Sequence, residues 1–224
     1  MRIFIYQPPA GVPDIIYEDD DYLAINKPSG LLSNPGRAEA THDCALTRLQ
    51  TIYPNLLLVH RLDCDTSGVL VFAKNKPAES ALKKQLQLRE VKKEYRAWVH
   101  GHILQDEGII DSPLAPNEDD RPLQKVDQNG KPAITRYQVI KRTTLNNEPI
   151  TEVALFPETG RTHQLRVHLL SVGHPILGDD FYAPEAVKQM HRRLCLHASS
   201  INFDSNGKQL NIKALNIFGL IKKQ

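Results

Sequence analysis

The stretch His60-Arg-Leu-Asp63-Cys-Asp65-Thr-Ser-Gly68 runs without a break into Val69-Leu-Val-Phe-Ala73. Nine residues dense in titratable groups end at a glycine, and five apolar residues follow. A short, continuous apolar run bounded by turn residues reads as a buried strand. The polar stretch therefore stands at a strand entrance, where Thr66, Ser67 and the Gly68 backbone can aim donors at a carboxylate. The plain alternative is an ordinary turn in which Asp65, Thr66 and Ser67 bond nearby backbone N–H groups.

Working outward, Tyr22-Leu-Ala-Ile25 is a strand candidate, and Asn26-Lys-Pro-Ser-Gly30 is a turn because of Pro28 and Gly30. Residues 45–52 suit a short helix closed before Pro54. Residues 77–89 suit a longer one, with Pro77 near its start and Ala78, Ala81, Leu82 and Leu86 on one face. Residues 95–102 alternate, Tyr95, Ala97 and Val99 against Arg96, Trp98 and His100, which is strand periodicity. Residues 107–130 are polar and rich in Pro and Asp, and are expected to be mostly loop. Strands are expected at 133–140 and 150–156, a helix at 161–172 ending at Gly173, and one or two strands across 195–215. Strands outnumber helices and do not alternate with them regularly. That favours an α+β fold with a largely antiparallel sheet over a doubly wound one.

The 224 residues suffice for one good-sized domain or two small ones, and 41% are hydrophobic, which excludes global disorder. The net charge of +2 excludes both a strongly basic tail-type binder and a strongly acidic protein, though not a local basic patch. Cys44, Cys64 and Cys195 are few, odd in number and widely spaced. No disulfide framework and no CxxC metal or redox motif is expected. The apolar start is too short for a signal peptide and no run spans a bilayer. A reduced, cytoplasmic, soluble protein is expected, with no membrane partner.

Three further clusters carry possible chemistry. Gly160-Arg-Thr-His-Gln-Leu-Arg-Val-His168 would place Thr162, His163 and Arg166 on one helix face, with Leu165, Leu169 and Val172 packing inward. His163 and His168, five apart, do not form the i, i+4 pair of a helical zinc site. Lys83, Lys84, Arg89, Lys92, Lys93 and Arg96 form a basic stretch opposed only by Glu90 and Glu94. It is suited to phosphate contact, or is simply a solvated face. Lys27, on its rigid turn, could meet a phosphate or keep an edge hydrated. No glycine-rich nucleotide loop of the Walker or Rossmann type is present.

Taken together, these motifs resemble the RluA family of RNA pseudouridine synthases. His60-Arg-Leu-Asp63-x-x-Thr66-Ser67-Gly68 resembles its signature, and Asn26-Lys-Pro-Ser-Gly-Leu31 its first motif. Lys92-Lys-Glu-Tyr95-Arg-Ala-Trp-Val-His-Gly101 is similar to its tyrosine motif, and residues 160–168 to its arginine motif. Gly173-His-Pro-Ile-Leu-Gly-Asp179 and Leu196-His-Ala198 resemble later landmarks. All stand in family order across roughly residues 14–215.

The resemblance implies the pseudouridine synthase fold, a bent, mostly antiparallel mixed sheet flanked by helices with a central RNA-binding cleft between two halves. Residues 1–224 would then form a single catalytic domain of two subdomains, with no N-terminal S4 domain. It implies isomerisation of uridine to pseudouridine without cofactor or metal. It assigns Asp63 as the catalytic aspartate, Arg166 as the arginine that pairs with it, and Tyr95 as the ring that stacks on the target base and can take the C5 proton. Leu165 and Val167 would line the pocket, and Arg61 would enter the space left by a flipped base. The variable positions are Cys64 and Asp65; a glycosidase-like pairing of Asp63 with Asp65 is the weaker reading. Short members of the family lack an extra RNA-binding domain, and one similar in several stretches acts on a 23S rRNA hairpin loop and a tRNA anticodon stem-loop. Phosphate contacts would come from Lys27, Arg37, Lys83, Lys84, Lys92, Lys93, Arg121 and Lys125, with the protein a monomer. Two other readings are a sister synthase with a different RNA target and a non-catalytic RNA-binding or ribosome-assembly factor.

Overall fold

The computed structural model describes residues 6–120, 122–215 and 218. In chain order the elements are β1 (Asp14–Glu18), β2 (Tyr22–Lys27), α1 (Ala45–Gln50), β3 (Leu57–Leu58), β4 (Ser67–Ala73), α2 (Lys76–Leu88), β5 (Lys92–His100), β6 (Glu107–Asp111), β7 (Leu114–Pro116) and β8 (Gln124–Val126). Then come β9 (Ile134–Leu145), β10 (Glu148–Pro157), α3 (Gln164–Ser171), α4 (Glu185–Lys188), β11 (Leu196–Ser205) and β12 (Lys208–Lys213). The class is α+β, mixed strands with few helices, in agreement with the sequence pattern. The chain divides into two compact units. One is the inner segment Glu94–Leu196, and the other is the chain flanking it, up to Lys93 and from His197 onward.

In the flanking unit, β2 and β4 pair antiparallel along six residues, and β1 lies on β2. The other edge of β4 is shared. β11 runs parallel to its start, at Ser67 and Gly68, and β3 runs antiparallel to its end. Every residue of β4 is buried, as a five-residue apolar run predicts. Val69, Val71 and Ala73 belong to a core with Tyr22, Ala78, Leu82 and Phe203, so α2 covers that face. Asn75 caps α2 by accepting the Ala78 N–H at 2.9 Å. Gly68 sits at φ +113, and a Cβ there would lie 2.6 Å from the Ala198 nitrogen. Only glycine lets the two backbones approach so closely at the mouth of β4.

In the inner unit, β5, β10, β9 and β6 form an antiparallel ladder in that order. β9 and β10 are joined through Asn146 and Asn147, at φ 51 and 67. Two consecutive left-handed residues make the tight turn whose twist suits a hairpin, and asparagine tolerates that backbone.

Residues 107–130 are mostly loop, as expected, with the short strands β6, β7 and β8 set into them. These strands take their order from partners, β6 from β9 and the three-residue β7 and β8 from each other. The helix expected at 161–172 covers Gln164–Ser171. His163 takes φ 55, which an α-helix cannot include. Gln164 sets this boundary with its buried amide. Its Oε1 accepts from Thr159 Oγ1 at 2.7 Å and the Arg161 N–H at 3.0 Å, and its Nε2 donates to Ile134 O and Thr135 Oγ1. Thr162 and His163 therefore precede the helix, and Val172 is exposed rather than packed inward. In α2, Ala81 also faces solvent while Ala78 and Leu82 are buried.

Candidate functional site

Asp63 lies half-buried in the loop between β3 and β4. The turn after β2 braces that loop. The Lys27 ammonium donates to the carbonyls of Cys64 at 2.8 Å, Leu31 at 2.6 Å and Pro28 at 3.0 Å. Ser29 Oγ donates to Asp65 O at 2.7 Å, and the Gly30 N–H to Cys64 O at 3.0 Å. Ser33 Oγ donates to Leu62 O at 2.8 Å and accepts the Leu62 N–H at 3.0 Å. The Thr66 N–H closes a turn onto Asp63 O at 3.2 Å. The backbone is thus anchored on both sides of Asp63.

Lys27 must be corrected as a phosphate contact. Its side chain is fully buried and its donors are committed to carbonyls. Burial pulls its pKa down to about 8, even though the charges of Cys64, Asp65 and Asp63 pull the other way. His60, three residues before Asp63, is a second brace. Its Nε2 accepts the Val71 N–H at 3.0 Å, a donor on the edge of β4 between the stretches paired to β11 and β3. Burial, helped by the charge of Lys93, lowers the His60 pKa to about 4 and keeps the ring a neutral acceptor. Behind Gly68, Ser67 Oγ meets His197 Nδ1 at 2.9 Å.

In the inner unit, Tyr95 lies on β5 opposite Leu155 of β10 and is half-buried. Its neighbour Arg96 pairs with Glu94 at 2.8 Å. Arg166, on α3, is 2% exposed. Its Nε donates to Asp179 Oδ2 at 2.9 Å and its Nη2 to Asp179 Oδ1 at 2.6 Å, a two-pronged pair with a carboxylate that is itself buried. Asp179 Oδ1 also accepts the N–H groups of Phe181 and Tyr182. The guanidinium carbon lies 4.8 Å from the centre of the Phe181 ring and 5.2 Å from that of Tyr182, a cation–π arrangement. Asp63 thus belongs to the flanking unit, whereas Tyr95 and Arg166 belong to the inner one.

The sequence motifs assign no role to Asp179 or Tyr182, and Asp179 enters them only as the end of the Gly173–Asp179 landmark. The local signal is an aspartate two and three residues before N–H groups that it can accept in a turn.

The remaining candidates separate by environment. Arg37, Arg61 and Lys92 are exposed. Lys83 is already 2.6 Å from Glu79. Lys84 opens onto a groove of about 540 Å³ that also holds Glu90 and Asp204. Lys93 is largely buried, which lowers its pKa, and Lys125 lies 3.8 Å from Asp127. Arg121 lies outside the described residues. Leu165 is 7% exposed, and Val167 packs with Leu114, Ala133 and Tyr182. His168 is a structural residue. Its ring bonds Thr135 Oγ1 at 2.9 Å and donates to Ser112 O at 3.0 Å, and burial lowers its pKa. Among the described residues no three His, Cys, Asp or Glu side chains are gathered as a metal ion would need, and no helix is long and apolar enough to cross a membrane.

Comparison with known proteins adds to this geometry. A family model described as RNA pseudouridylate synthase matches residues 21–171. The dual-specificity RNA pseudouridine synthase RluA of Vibrio parahaemolyticus is 53% identical over 206 residues, covering 91% of this chain and 82% of that protein. The protein of the same name from Escherichia coli K12 is 49% identical over 203 residues, covering 89% and 91%. Among solved structures, human RNA pseudouridylate synthase domain containing 1 superposes with a TM-score of 0.80 at 28% identity, covering 93% of this chain and 86% of that one.

Proposed function

The chain belongs to the RluA family of RNA pseudouridine synthases, and from that premise we propose that Asp63, Tyr95 and Arg166 carry its chemistry on two RNAs. It is an isomerase with the α+β pseudouridine synthase fold. The proposed targets are uridine 746 of 23S rRNA and uridine 32 of tRNA, both in stem-loops whose unstacked bases can be turned out. Two curated relatives covering most of this chain are named for dual specificity, which supports this reading.

In the reaction the N1–C1′ bond of uridine breaks, the base turns, and C5 bonds to C1′. C5 loses its proton and N1 gains one, so nothing is consumed. Asp63 serves as a carboxylate directed at the ribose C1′ or the base C6, or as a base at the sugar. Tyr95 stacks on the turned-out base and takes the C5 proton. Arg166, held by Asp179, supplies a positive charge of fixed orientation to the reaction. Arg61, Arg37, Lys92 and Lys125, with Arg121, contact phosphates or the vacated base position. The enzyme works as a monomer, without cofactor.

The observation that carries the assignment of Asp63 is the anchoring of its loop by Lys27, Ser29, Gly30 and Ser33. A reacting carboxylate needs a fixed approach, and a tethered loop provides one. The test maps pseudouridine by carbodiimide treatment and primer extension in unmodified 23S rRNA and bulk tRNA, using wild-type protein and Asp63→Asn. Stops in both RNAs with wild type alone are expected. Turnover near wild type in Asp63→Asn overturns the catalytic assignment. Stops in one RNA only move the chain to a single-substrate sister.

A further inference from the structure

Around Arg166 there is a set of hydrogen bonds to which the proposed chemistry gives no role. Tyr182 lies against the guanidinium with its ring, and its hydroxyl reaches two other elements. The hydroxyl oxygen accepts the backbone N–H of Gln124, the first residue of β8, at 2.9 Å. It also lies 2.7 Å from Nδ1 of His163. The Gln124 N–H can only donate, and the bond to Nδ1 closes in either sense: the tyrosine proton points at a bare Nδ1, or a protonated Nδ1 donates to the same oxygen.

His163 stands at the entrance of α3, three residues before Arg166, in a left-handed backbone conformation at φ 55. That conformation is uncommon for a residue with a side chain, and such residues persist where their surroundings hold them. Here the surroundings are aromatic. The His163 ring meets Phe181 at 5.5 Å and Tyr182 edge-on at 5.6 Å between centroids. The Tyr182 ring also packs on Val167, Leu114 and Ala133, which brings α3 and the start of β7 onto the same side chain.

We propose that the Tyr182 hydroxyl is a positioning group that couples the β7–β8 hairpin to the Arg166 guanidinium. Asp179 fixes one edge of Arg166, and the two aromatic rings fix its face. The Tyr182 ring is in turn fixed by its hydroxyl, bonded to the hairpin on one side and to the strained N-terminus of α3 on the other. The hairpin carries Lys125, adjacent to the bonded Gln124. RNA seated on the hairpin and the geometry at Arg166 therefore depend on the same oxygen. This inference rests on the assignment of Arg166 above.

The test uses the full-length enzyme and whichever of the two RNAs it modifies, labelled with tritium at uridine C5. Release of tritium gives kcat and KM, and thermal melting is recorded in parallel. Tyr182→Phe keeps the ring on Arg166 and the apolar packing but removes both bonds. It is expected to lower kcat roughly five- to tenfold and raise KM about threefold, since one hydrogen-bonding group is lost. His163→Ala removes the ring partner of the hydroxyl and is expected to lower kcat by a similar factor. His163→Asn tolerates the left-handed backbone and offers Oδ1 in place of Nδ1, so it should restore most of the rate. The double variant Tyr182→Phe/His163→Ala should be no slower than the slower single variant, because both changes break the same bond.

Wild-type kcat and KM in Tyr182→Phe overturn the proposal. So do losses that multiply in the double variant, or rates that follow only the melting temperature. Arg166→Ala is the control for the underlying reading. If it turns over like wild type, the assignment of Arg166 fails. If it is inactive while Tyr182→Phe is unimpaired, only the coupling fails.

Discussion

Lys27 and Arg166 are both cations in family motifs, and both are almost wholly buried, yet the protein accommodates them in opposite ways. Lys27 has no carboxylate among its hydrogen-bond acceptors. Its three donors meet three backbone carbonyls, two from its own turn and one from Cys64, 37 positions away. A compact ammonium with three rotatable donors suits such a knot. Its pKa falls to about 8, so the charge is expensive to keep and the donors are what the fold uses. Arg166 instead lays its planar fork on Asp179 and its face on two aromatic rings. Arginine keeps its charge under any condition in which the protein is folded. One buried cation is therefore a fastener for the Asp63 loop, and the other is a permanent charge with a fixed orientation.

Breaking the Arg166 arrangement should have the larger effect. Asp179→Ala leaves a buried guanidinium without its carboxylate, which costs about 3–5 kcal/mol of stability. Urea denaturation should show a matching fall in midpoint with little change in slope. Asp179→Asn keeps acceptor geometry on one oxygen and should lose less. A loss below about 1 kcal/mol in Asp179→Ala would mean that Arg166 is not held as a buried charge, and the comparison with Lys27 would collapse.

The Lys27 knot is weaker and depends on pH. Lys27→Met preserves length and removes three hydrogen bonds, while relieving the cost of burying a charge. The net loss should be about 1–3 kcal/mol near neutral pH. Because the folded pKa of about 8 lies below the ordinary lysine value of 10.5, the unfolded chain binds the extra proton between those values. Stability of the wild type relative to Lys27→Met should then rise as pH increases from 8 to 10.5, and stay flat below 8. The Asp179→Ala deficit has no such step, since Arg166 does not titrate there. Parallel denaturation series on both variants from pH 7 to 10.5 sharpen the contrast. A flat Lys27 difference would show that its charge is compensated after all.

Much of this could be read from the chain, and the parts that could not share a cause. β4 was legible because its apolar run is buried on both faces, and α2 because Ala78 and Leu82 recur at helical spacing and are buried. Asp63, Tyr95 and Arg166 are proposed through motif resemblance, because no local pattern singles out a reacting group. Lys27 was misread because a lysine beside a proline normally faces water, and nothing local shows that carbonyls from residues 28, 31 and 64 converge on it. β7 and β8, three residues each, are too short to carry a period and exist through each other. Asp179 is joined to Arg166 across 13 positions, and the N-terminal limit of α3 depends on Gln164 bonding residues 30 and 29 positions away. Patterns within one element show in a sequence. Side chains that bridge elements do not.

The smallest expected effects lie on the surface, where cations that look alike in the sequence differ in their neighbours. Lys83 is 2.6 Å from Glu79, which also holds Lys76 at 2.8 Å, so a phosphate approaching Lys83 meets a charge already answered. Arg61 is exposed two positions before Asp63. Arg61→Ala should weaken RNA binding by roughly tenfold and reduce the slope of log affinity against log salt by about one. Lys83→Ala should change affinity by less than about twofold and leave the slope as it is. Filter binding of the substrate RNA at several salt concentrations separates the two. Equal losses would show that RNA displaces Glu79 from Lys83, and that the basic stretch beginning there acts as one contact surface after all.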